Sequence, residues 1–272
     1  MAKLLLAGCG KMGSAMLAGW LENPYQKSDI VVIEPNGEIA QNIASRFGVA
    51  TVARPDDLNP NETAPDVIVF AVKPQVMDDV VPAYGQFAAS GCVYLSIAAG
   101  KTIGYFQSIL GQTAAIVRAM PNTPAAVGRG ITVACANGPA TEAQIALCDT
   151  LLGAVGEVAW SDDEGQLDAV TALSGGGPAY VFLLAECLAQ AGMDAGLPAD
   201  LAHRLARATV AGSGELLFQS SDQPATLRHN VTSPGGTTAE ALKILMADDG
   251  WQPLITKAIA AATKRSKELA GD

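Results

Sequence analysis

A glycine-rich segment near the N-terminus has the residue types and spacing that bind a diphosphate. Gly8, Gly10 and Gly13 form the pattern G-x-G-x-x-G, and Lys11 and Met12 precede the third glycine. The pattern follows an apolar run and opens a helical pattern, which is the context of a dinucleotide-binding turn. In such a turn the backbone approaches the ligand closely, and the helix N-terminus offers its amide groups to the anion. The segment therefore predicts a pyrophosphate site, with an ordinary glycine turn as the alternative.

A single carboxylate follows at the spacing expected for a ribose contact. Glu34 ends the strand-like run DIVVIE and comes about 20 residues after Gly13, where an acidic side chain hydrogen-bonds the ribose hydroxyls in NAD sites. An acid repels a 2′-phosphate, and no arginine follows at once, because the next residues are Pro35 and Asn36. These residues favour NADH over NADPH. The alternative is a carboxylate that faces water.

Three later segments place small or cyclic residues at the ends of predicted strands. The runs 66–72 and 91–97 read as buried strands, and a third strand ends in the motif RAMPNTP at 118–124. Ligands of open parallel sheets lie beyond the carboxyl ends of the strands, so these segments predict the walls of one site. Lys73 either contacts cofactor oxygens or caps its strand. The predicted cofactor-binding residues here are Ala71, Val72, Lys73, Pro74, Ala98, Ala99, Gly100 and Pro121.

Two more glycine clusters open predicted helices in the second half of the chain. They are SGGGP at 174–178 and SPGGTT at 233–238, the second preceded by Asn230. Backbone amides at such helix starts bind anions. A substrate carboxylate could lie on them while a threonine hydroxyl reaches the adjacent reacting centre. The alternative is that the glycines only cap helices.

Lysine and histidine side chains that could transfer a proton are scarce in the middle of the chain. No lysine occurs between Lys101 and Lys243, and the two histidines, His203 and His229, read as structural residues. The five cysteines show no CxxC spacing, so we predict free thiols and no metal site. The chemistry should therefore need little proton transfer from the protein.

Composition and charge exclude several classes of protein. The chain has 272 residues and a formal net charge of −10, which opposes binding to nucleic acid. No segment reaches the ~20 uncharged apolar residues of a membrane span. The apolar stretch before Cys9 is also shorter than the roughly 7–15 residues of a signal peptide. We predict a cytoplasmic protein with a small-molecule substrate and no membrane or nucleic-acid partner.

The pattern of elements divides the chain in two. Residues 1–160 alternate buried strands with helical stretches, which predicts a Rossmann-like, doubly wound α/β domain that binds a dinucleotide. Residues 161–272 show helical patterns only. Helix 201–218 is apolar around much of its circumference, which favours a homodimer through this substrate-binding half. A self-contained helical bundle is the alternative.

Taken together, the motifs resemble those of a known family. GCGKMG at 8–13, AVKPQ at 71–75, RAMPNTP at 118–124, SGGGPAY at 174–180 and NVTSPGGTT at 230–238 are similar in order and spacing to Δ1-pyrroline-5-carboxylate reductase. The last motif is specific to that family. The resemblance implies reduction of 1-pyrroline-5-carboxylate to L-proline with NAD(P)H, a Rossmann-type domain, and a helical dimerisation domain whose dimers assemble further into decamers.

The resemblance also implies roles for individual residues. The amides of Ser233–Gly236 would bind the substrate carboxylate, Thr238 would lie nearest the ring nitrogen, and Asn230 near the nicotinamide. A protonated cyclic imine already has an electrophilic carbon, which agrees with the missing base. Family members often use NADPH, whereas Glu34 favours NADH, and Gly176 stands where a serine is common. The implied substrate-binding residues are Ser233, Pro234, Gly235, Gly236, Thr237 and Thr238, with Thr238 catalytic.

Two other functions fit parts of the sequence. A β-hydroxyacid dehydrogenase shares the glycine turn followed by a helical domain, but it relies on a lysine in that helical region, and this chain has no lysine in the corresponding place, since none occurs between Lys101 and Lys243. A dinucleotide sensor without catalysis could use its helical half to bind a partner protein. Only the reductase should oxidise NADH or NADPH when pyrroline-5-carboxylate is added.

Overall fold

The computed structural model describes residues 3–22, 25–59 and 63–271 and contains one eight-stranded sheet. Its spatial order is β3-β2-β1-β4-β5-β6-β7-β8, and every neighbouring pair is parallel except β6 and β7. The strands are β1 Leu4–Ala7, β2 Ile30–Ile33, β3 Ala50–Val52, β4 Val67–Phe70, β5 Val93–Ser96, β6 Ala115–Met120, β7 Gly130–Ala136 and β8 Gly156–Trp160.

The central strands are buried on both faces, which explains their unbroken apolar sequences. Leu4 and Leu6 of β1 point into one hydrophobic core, and Leu5 and Ala7 into the other. Strand β4 divides its side chains in the same way. A fully buried leucine stabilises the fold by roughly 1.5–3 kcal/mol, so both faces of the sheet hold these strands in register. The predicted doubly wound sheet is confirmed.

Two features of the sheet were not predicted. Strand β3 has three residues at the sheet edge, all at least partly exposed, and lacks a buried apolar run. Strand β7 is antiparallel to β6 because only a short 3-10 turn, Thr123–Val127, and the left-handed Gly128 connect the two strands. A parallel pair needs a crossover of a dozen or more residues, for which this connection is too short.

Helices cover both faces of the sheet. They are α1 Lys11–Glu22, α2 Gly37–Phe47, α3 Met77–Val80, α4 Ile103–Leu110, α5 Glu142–Gly153 and α6 Gln166–Val170. Side chains cap three of them: Asn36 accepts hydrogen bonds from the amides of Glu38 and Ile39, Thr102 accepts from the amide of Tyr105 at the start of α4, and Thr141 forms a capping box with Gln144. These caps fix where α2, α4 and α5 begin.

The chain forms two compact units, residues 1–175 with 262–272 and residues 176–261. Helix α6 belongs to the first unit because Leu167 is fully buried in its core. The neighbouring carboxylate of Asp168 accepts a 2.6 Å hydrogen bond from the hydroxyl of Ser266. The boundary predicted at residues 160 and 161 coincides with the end of the last strand. That it separates two functional domains stays a prediction.

The second unit is helical. Its helices are α7 Gly177–Asp194, α8 Ala199–Gln219, α9 Pro224–Asn230, α10 Thr237–Leu245 and α11 Trp251–Ala270, the last of which ends in the first unit. Helices α7 and α8 pack closely, since a Cβ atom at Gly192 would lie 3.3 Å from Cβ of Ala202. Large apolar side chains remain exposed in the single chain, including Phe182 at 63% and Leu216 at 67%. Such a surface marks an interaction site.

One helical run within the described residues has the length and composition of a membrane span. It extends over the 29 residues Gln166–Asp194, and 11% of its most apolar window is buried. A helix that packs against another protein surface has the same features, so this observation is weak evidence for a membrane. The predicted absence of a membrane partner stays a prediction.

Candidate active site

A cleft at the carboxyl ends of the first four strands is the candidate cofactor site. It encloses about 620 Å³ and is lined by residues 7–10 after β1, 33–35 after β2, 53–56 after β3 and 71–73 after β4. One face of the helical segment 76–84 closes its side. The cleft lies where parallel sheets bind their ligands, and β1 and β4 continue to its floor.

The glycines of the turn after β1 meet different steric demands. Gly8 has a left-handed φ of 82°, and a Cβ atom there would lie 2.5 Å from Cγ1 of Val72. A Cβ atom at Gly13 would lie 2.8 Å from the carbonyl oxygen of Gly8, so helix α1 could not approach the strand. Gly10 has no atom within 4 Å of its Cβ position and borders the cleft. The turn is therefore rigid, and it is open where a diphosphate would lie, so the residues present fit a dinucleotide.

The predicted ribose-binding carboxylate lies in the same cleft. Glu34 is half-buried, and its Oε1 atom accepts a 3.1 Å hydrogen bond from the amide of Asn36. Its own amide donates to the carbonyl oxygen of Val52 at 2.9 Å, which joins the ends of β2 and β3. The structure thus brings Glu34 together with Gly8 and Gly10, as expected of a ribose contact.

Several residues of the cleft were missed in the sequence, and Arg54 is the most important of them. It lies on the segment after β3, and its side chain is exposed in the cleft. Val76, Val80 and Tyr84 provide an apolar side to the same space. Recognition of β3 as a strand would have placed Arg54 at the sheet edge beside Glu34. The alternation of strand and helix in this half of the chain could have indicated β3, but a strand of three residues is too short to be recognised from its sequence.

The predicted cofactor residues are only partly assembled in this cleft. Gly8, Gly10, Glu34, Ala71, Val72 and Lys73 line it. Other predicted residues of the first unit lie nearby in the chain but outside the lining: Lys11, Met12 and Gly13 at the start of α1, Pro74 after β4, Ala98, Ala99 and Gly100 after β5, and Pro121 after β6. Their contacts with a cofactor stay predictions, as does that of Asn230 in the second unit.

An ion pair connects the segment after β5 to helix α3. The Lys101 ammonium lies 2.8 Å from a carboxylate oxygen of Asp78 and 4.0 Å from the centre of the Tyr105 ring. The hydrogen bond from Lys101 lowers the pKa of Asp78. Gly100, beside this lysine, has a φ of 73°, and a Cβ atom there would lie 3.2 Å from the carbonyl oxygen of Leu269. These contacts hold the 98–101 segment in one conformation.

The segment after β6 is held by buried polar groups. Arg118 is 4% exposed, and its guanidinium lies 2.8 Å from Oε1 of Glu164. The same carboxylate oxygen accepts from the amide of Ile103, also at 2.8 Å. Asn122 accepts from the amide of Ile131 at 3.0 Å, which fastens the proline-containing loop to β7. Side-chain hydrogen bonds therefore fix the loop that carries Pro121 and Pro124.

The first of the two later glycine segments differs from its prediction. A π-helical turn, Thr171–Gly175, precedes α7, so the 174–178 segment lies inside a longer helical run instead of at a free helix start. Ser174 donates to the carbonyl oxygen of Val170 at 3.0 Å, and a Cβ atom at Gly175 would lie 2.6 Å from Cε of Met120. Close packing accounts for Gly175, whereas a Cβ atom at Gly177, where α7 begins, would have no atom within 4 Å. The anion site expected at this segment stays a prediction.

The second glycine segment does form an exposed turn at a helix start. Helix α10 begins at Thr237, directly after Gly236, whose amide donates to the carbonyl oxygen of Ser233 at 3.0 Å. Gly235 has a φ of 69° and open space around it. The side chains of Ser233 and Thr238 are exposed. The arrangement leaves amide and hydroxyl groups available at one helix terminus of the second unit.

Thiol and metal chemistry have little support among the described residues. All five cysteines are free thiols. Burial raises the pKa of Cys9, which borders the cleft, and that of Cys148 to about 12, so both stay protonated at neutral pH. No group of three or more histidine, cysteine, aspartate or glutamate side chains in the described part of the chain could hold a metal ion.

Comparison with known proteins identifies two matching family models. Residues 164–269 match the model described as pyrroline-5-carboxylate reductase dimerisation. Residues 3–100 match the model described as NADP oxidoreductase, coenzyme F420-dependent. The matches divide between the strand-rich and the helical parts of the chain.

Individual relatives match over nearly the full length. The chain is 38% identical to a pyrroline-5-carboxylate reductase of Pseudomonas aeruginosa, over 98% of this chain and 97% of that protein. It is 37% identical to that of Pisum sativum, over 96% and 94%. The structure of a pyrroline-5-carboxylate reductase from Coxiella burnetii is 33% identical, with a TM-score of 0.91 and coverage of 99% and 98%. That of the Plasmodium falciparum enzyme with NADP bound is 30% identical, with a TM-score of 0.81 over 99% and 98%.

Proposed function

The chain belongs to the pyrroline-5-carboxylate reductase family, and we propose that it reduces 1-pyrroline-5-carboxylate to L-proline, the last step of proline biosynthesis. It is an NAD(P)-dependent oxidoreductase by family. The observation that carries the proposal is the open glycine turn in a 620 Å³ cleft, on a chain that matches the reductases over nearly all its length.

The first unit would hold the cofactor. NADPH or NADH, when bound, supplies the hydride that adds to the C=N carbon. The amides around Gly10 bind the diphosphate, Glu34 and its neighbours bind the adenosine ribose, and the strand-end segments around Lys73 and Ala98 orient the nicotinamide end. The rigid contacts of Gly8 and Gly13 support this assignment, because they fix the turn before the ligand arrives.

The turn before α10 would hold the substrate. The backbone amides of this turn would donate hydrogen bonds to its carboxylate, and the Thr238 hydroxyl would hydrogen-bond the ring nitrogen. The amides of Ser233 and Gly235 are the candidates, because Pro234 has no N–H and the Gly236 amide already donates to Ser233. We also assign Asn230, at the end of α9, to binding of the cofactor, as the family resemblance implies. The exposed turn and the open space at Gly235 support this role, since an anion can reach the amides of a helix N-terminus there.

The reaction needs one hydride and one proton, and the protein contributes little to the proton. A protonated cyclic imine brings that proton on its nitrogen, and hydride addition to the adjacent carbon gives the secondary amine of proline. The thiols Cys9 and Cys148 are protonated, and the lysine-free stretch 102–242 offers no ammonium acid. Positioning of the reactants and exclusion of water then supply most of the catalysis.

The assembly would be a homodimer through the 161–272 region, with residues 1–160 as the dinucleotide-binding domain. The exposed apolar side chains of α7 and α8 support self-association, as does the match to a dimerisation family. Further association of dimers into a decamer, a cytoplasmic location and the absence of membrane or nucleic-acid partners belong to the same proposal.

Turnover of the purified protein tests the function. We expect the absorbance of NADH or NADPH to fall when pyrroline-5-carboxylate is added, and the product to be identified as proline. A 3-hydroxy acid with NAD⁺ or NADP⁺ is the comparison reaction, because a β-hydroxyacid dehydrogenase would turn it over. If the absorbance of neither NADH nor NADPH falls, the reductase assignment is refuted.

A further inference from the structure

Arg54 lines the cofactor cleft together with Glu34, although the two residues are 20 positions apart in the sequence. Strand β3 runs parallel to β2, with Val52 opposite Ile33, and the carbonyl oxygen of Val52 accepts from the amide of Glu34. The chain after β3 therefore leaves the sheet at the same edge as Glu34. Both side chains border the cofactor cleft.

The local backbone of Arg54 is fixed while its side chain stays exposed. Its amide donates to a carboxylate oxygen of Asp57 at 3.0 Å, which anchors the 3-10 turn Pro55–Asp57. Pro55 is buried at the base of that turn. In the described part of the chain, the ion pairs do not include Arg54. A guanidinium group on a fixed turn is thus available to the cleft.

The charges at this end of the cleft have opposite preferences. The Glu34 carboxylate, held toward Asn36 by a 3.1 Å hydrogen bond, accepts ribose hydroxyls and repels a phosphate. A guanidinium binds phosphate oxygens through two parallel N–H donors, which an ammonium cannot do. The two residues therefore recognise different forms of the same ribose.

We propose that Arg54 binds the 2′-phosphate of NADPH and offsets the repulsion by Glu34, so that the chain accepts NADPH as well as NADH. The proposal rests on the proposed function, because it assigns the adenosine end of the dinucleotide to this cleft. Arg54 then acts as a specificity-determining residue, and its effect is confined to the phosphorylated cofactor.

Binding of adenosine 2′,5′-bisphosphate and of 5′-AMP to the full chain, measured by calorimetry, tests this role without turnover. Arg54→Ala should raise the Kd of the bisphosphate about tenfold relative to that of 5′-AMP, as expected for loss of a charged hydrogen bond. Arg54→Lys should restore only part of the difference. Arg46→Ala is the matched control, because that guanidinium lies 4.7 Å from the centre of the Phe47 ring and outside the cleft lining.

The outcomes separate this proposal from the proposed function. An equal change of both Kd values in Arg54→Ala, or the same ratio in Arg46→Ala, overturns the role of Arg54 and leaves the reductase assignment intact. If the wild-type chain binds neither mononucleotide, the cleft is not a dinucleotide site, and both proposals fall.

Discussion

At the scale of single residues, the proposed chemistry depends on one hydroxyl. Thr238 lies in the first turn of α10 with its side chain exposed. Because the protonated imine brings its own proton, the hydroxyl mainly orients the ring for hydride transfer. Thr238→Ala should therefore lower kcat by about 10- to 100-fold, toward the low end of general acid contributions. Steady-state kinetics with saturating cofactor measure this effect.

A conservative variant separates the hydroxyl from the methyl group of Thr238. Thr238→Ser keeps the hydrogen-bonding atom and should recover most of the lost kcat. An unchanged kcat in Thr238→Ala, with correct folding confirmed by circular dichroism, would remove this side chain from the mechanism.

The sequence alone can predict the position of a residue where the signal lies within one segment. Gly8, Gly10 and Glu34 follow recognisable strands, and the structure brings them into one cleft. Arg54 could not be found in this way, because its position depends on pairing between β2 and a three-residue edge strand. The prediction of NADH from Glu34 therefore did not consider Arg54, whose side chain lines the same cleft.

At the scale of elements, the turn between β1 and α1 separates a packing role from a binding role. Gly13→Ala should destabilise the protein by roughly 1–3 kcal/mol, because the new methyl group overlaps the carbonyl oxygen of Gly8. Gly10→Ala meets no protein atom, so its melting temperature should stay close to that of the wild type. It should nevertheless weaken binding of NADPH about tenfold or more, because its methyl group enters the ligand space. Equal melting and binding profiles for the two variants would contradict this division.

Helix α5 gives the protein a measurable response to alkaline pH. Burial raises the pKa of Cys148 from 9.0 to about 12, so between these values the unfolded chain loses a proton that the folded chain keeps. The free energy of unfolding therefore falls as the pH rises, by at most about 1.4 kcal/mol per pH unit from this group. Cys148→Ala should make the decline shallower in urea titrations between pH 9 and 12.

The control for this effect is a thiol that is exposed in the single chain. Cys187 is exposed on α7, and Cys187→Ala should leave the alkaline decline as steep as in the wild type. An identical slope in Cys148→Ala and the wild type would show that this thiol does not control the response.

Element prediction failed where local sequence carried little information. Runs of valine and isoleucine indicated the buried strands, whereas the orientation of β7 depended on the length of the loop after Pro121. The glycine segment at 174–178 suggested a helix start, and α7 does begin at Gly177, but the preceding π-helical turn places that start within a longer helical run.

At the scale of the whole molecule, the exposed apolar surface of the second unit predicts self-association. Phe182→Glu or Leu216→Glu should convert dimers to monomers, because a buried, unpaired carboxylate opposes the interface. Sedimentation velocity over a range of concentrations measures the change. Gln41→Glu, which adds the same charge to α2 of the first unit, is the control, and dimers that survive both apolar-to-glutamate changes would locate the interface elsewhere.

The first unit combines two segments that are far apart in the sequence, and this has a consequence for its synthesis. Ser266 donates a hydrogen bond to Asp168, and Gly100 packs against the carbonyl group of Leu269. Residues 262–272 therefore belong to the same unit as the strands, which are synthesised earlier. This part of the first unit can therefore form only after residues 262–271 have been synthesised and have left the ribosome. Until then, the nascent chain carries its sheet with the surface around Asp168 uncovered.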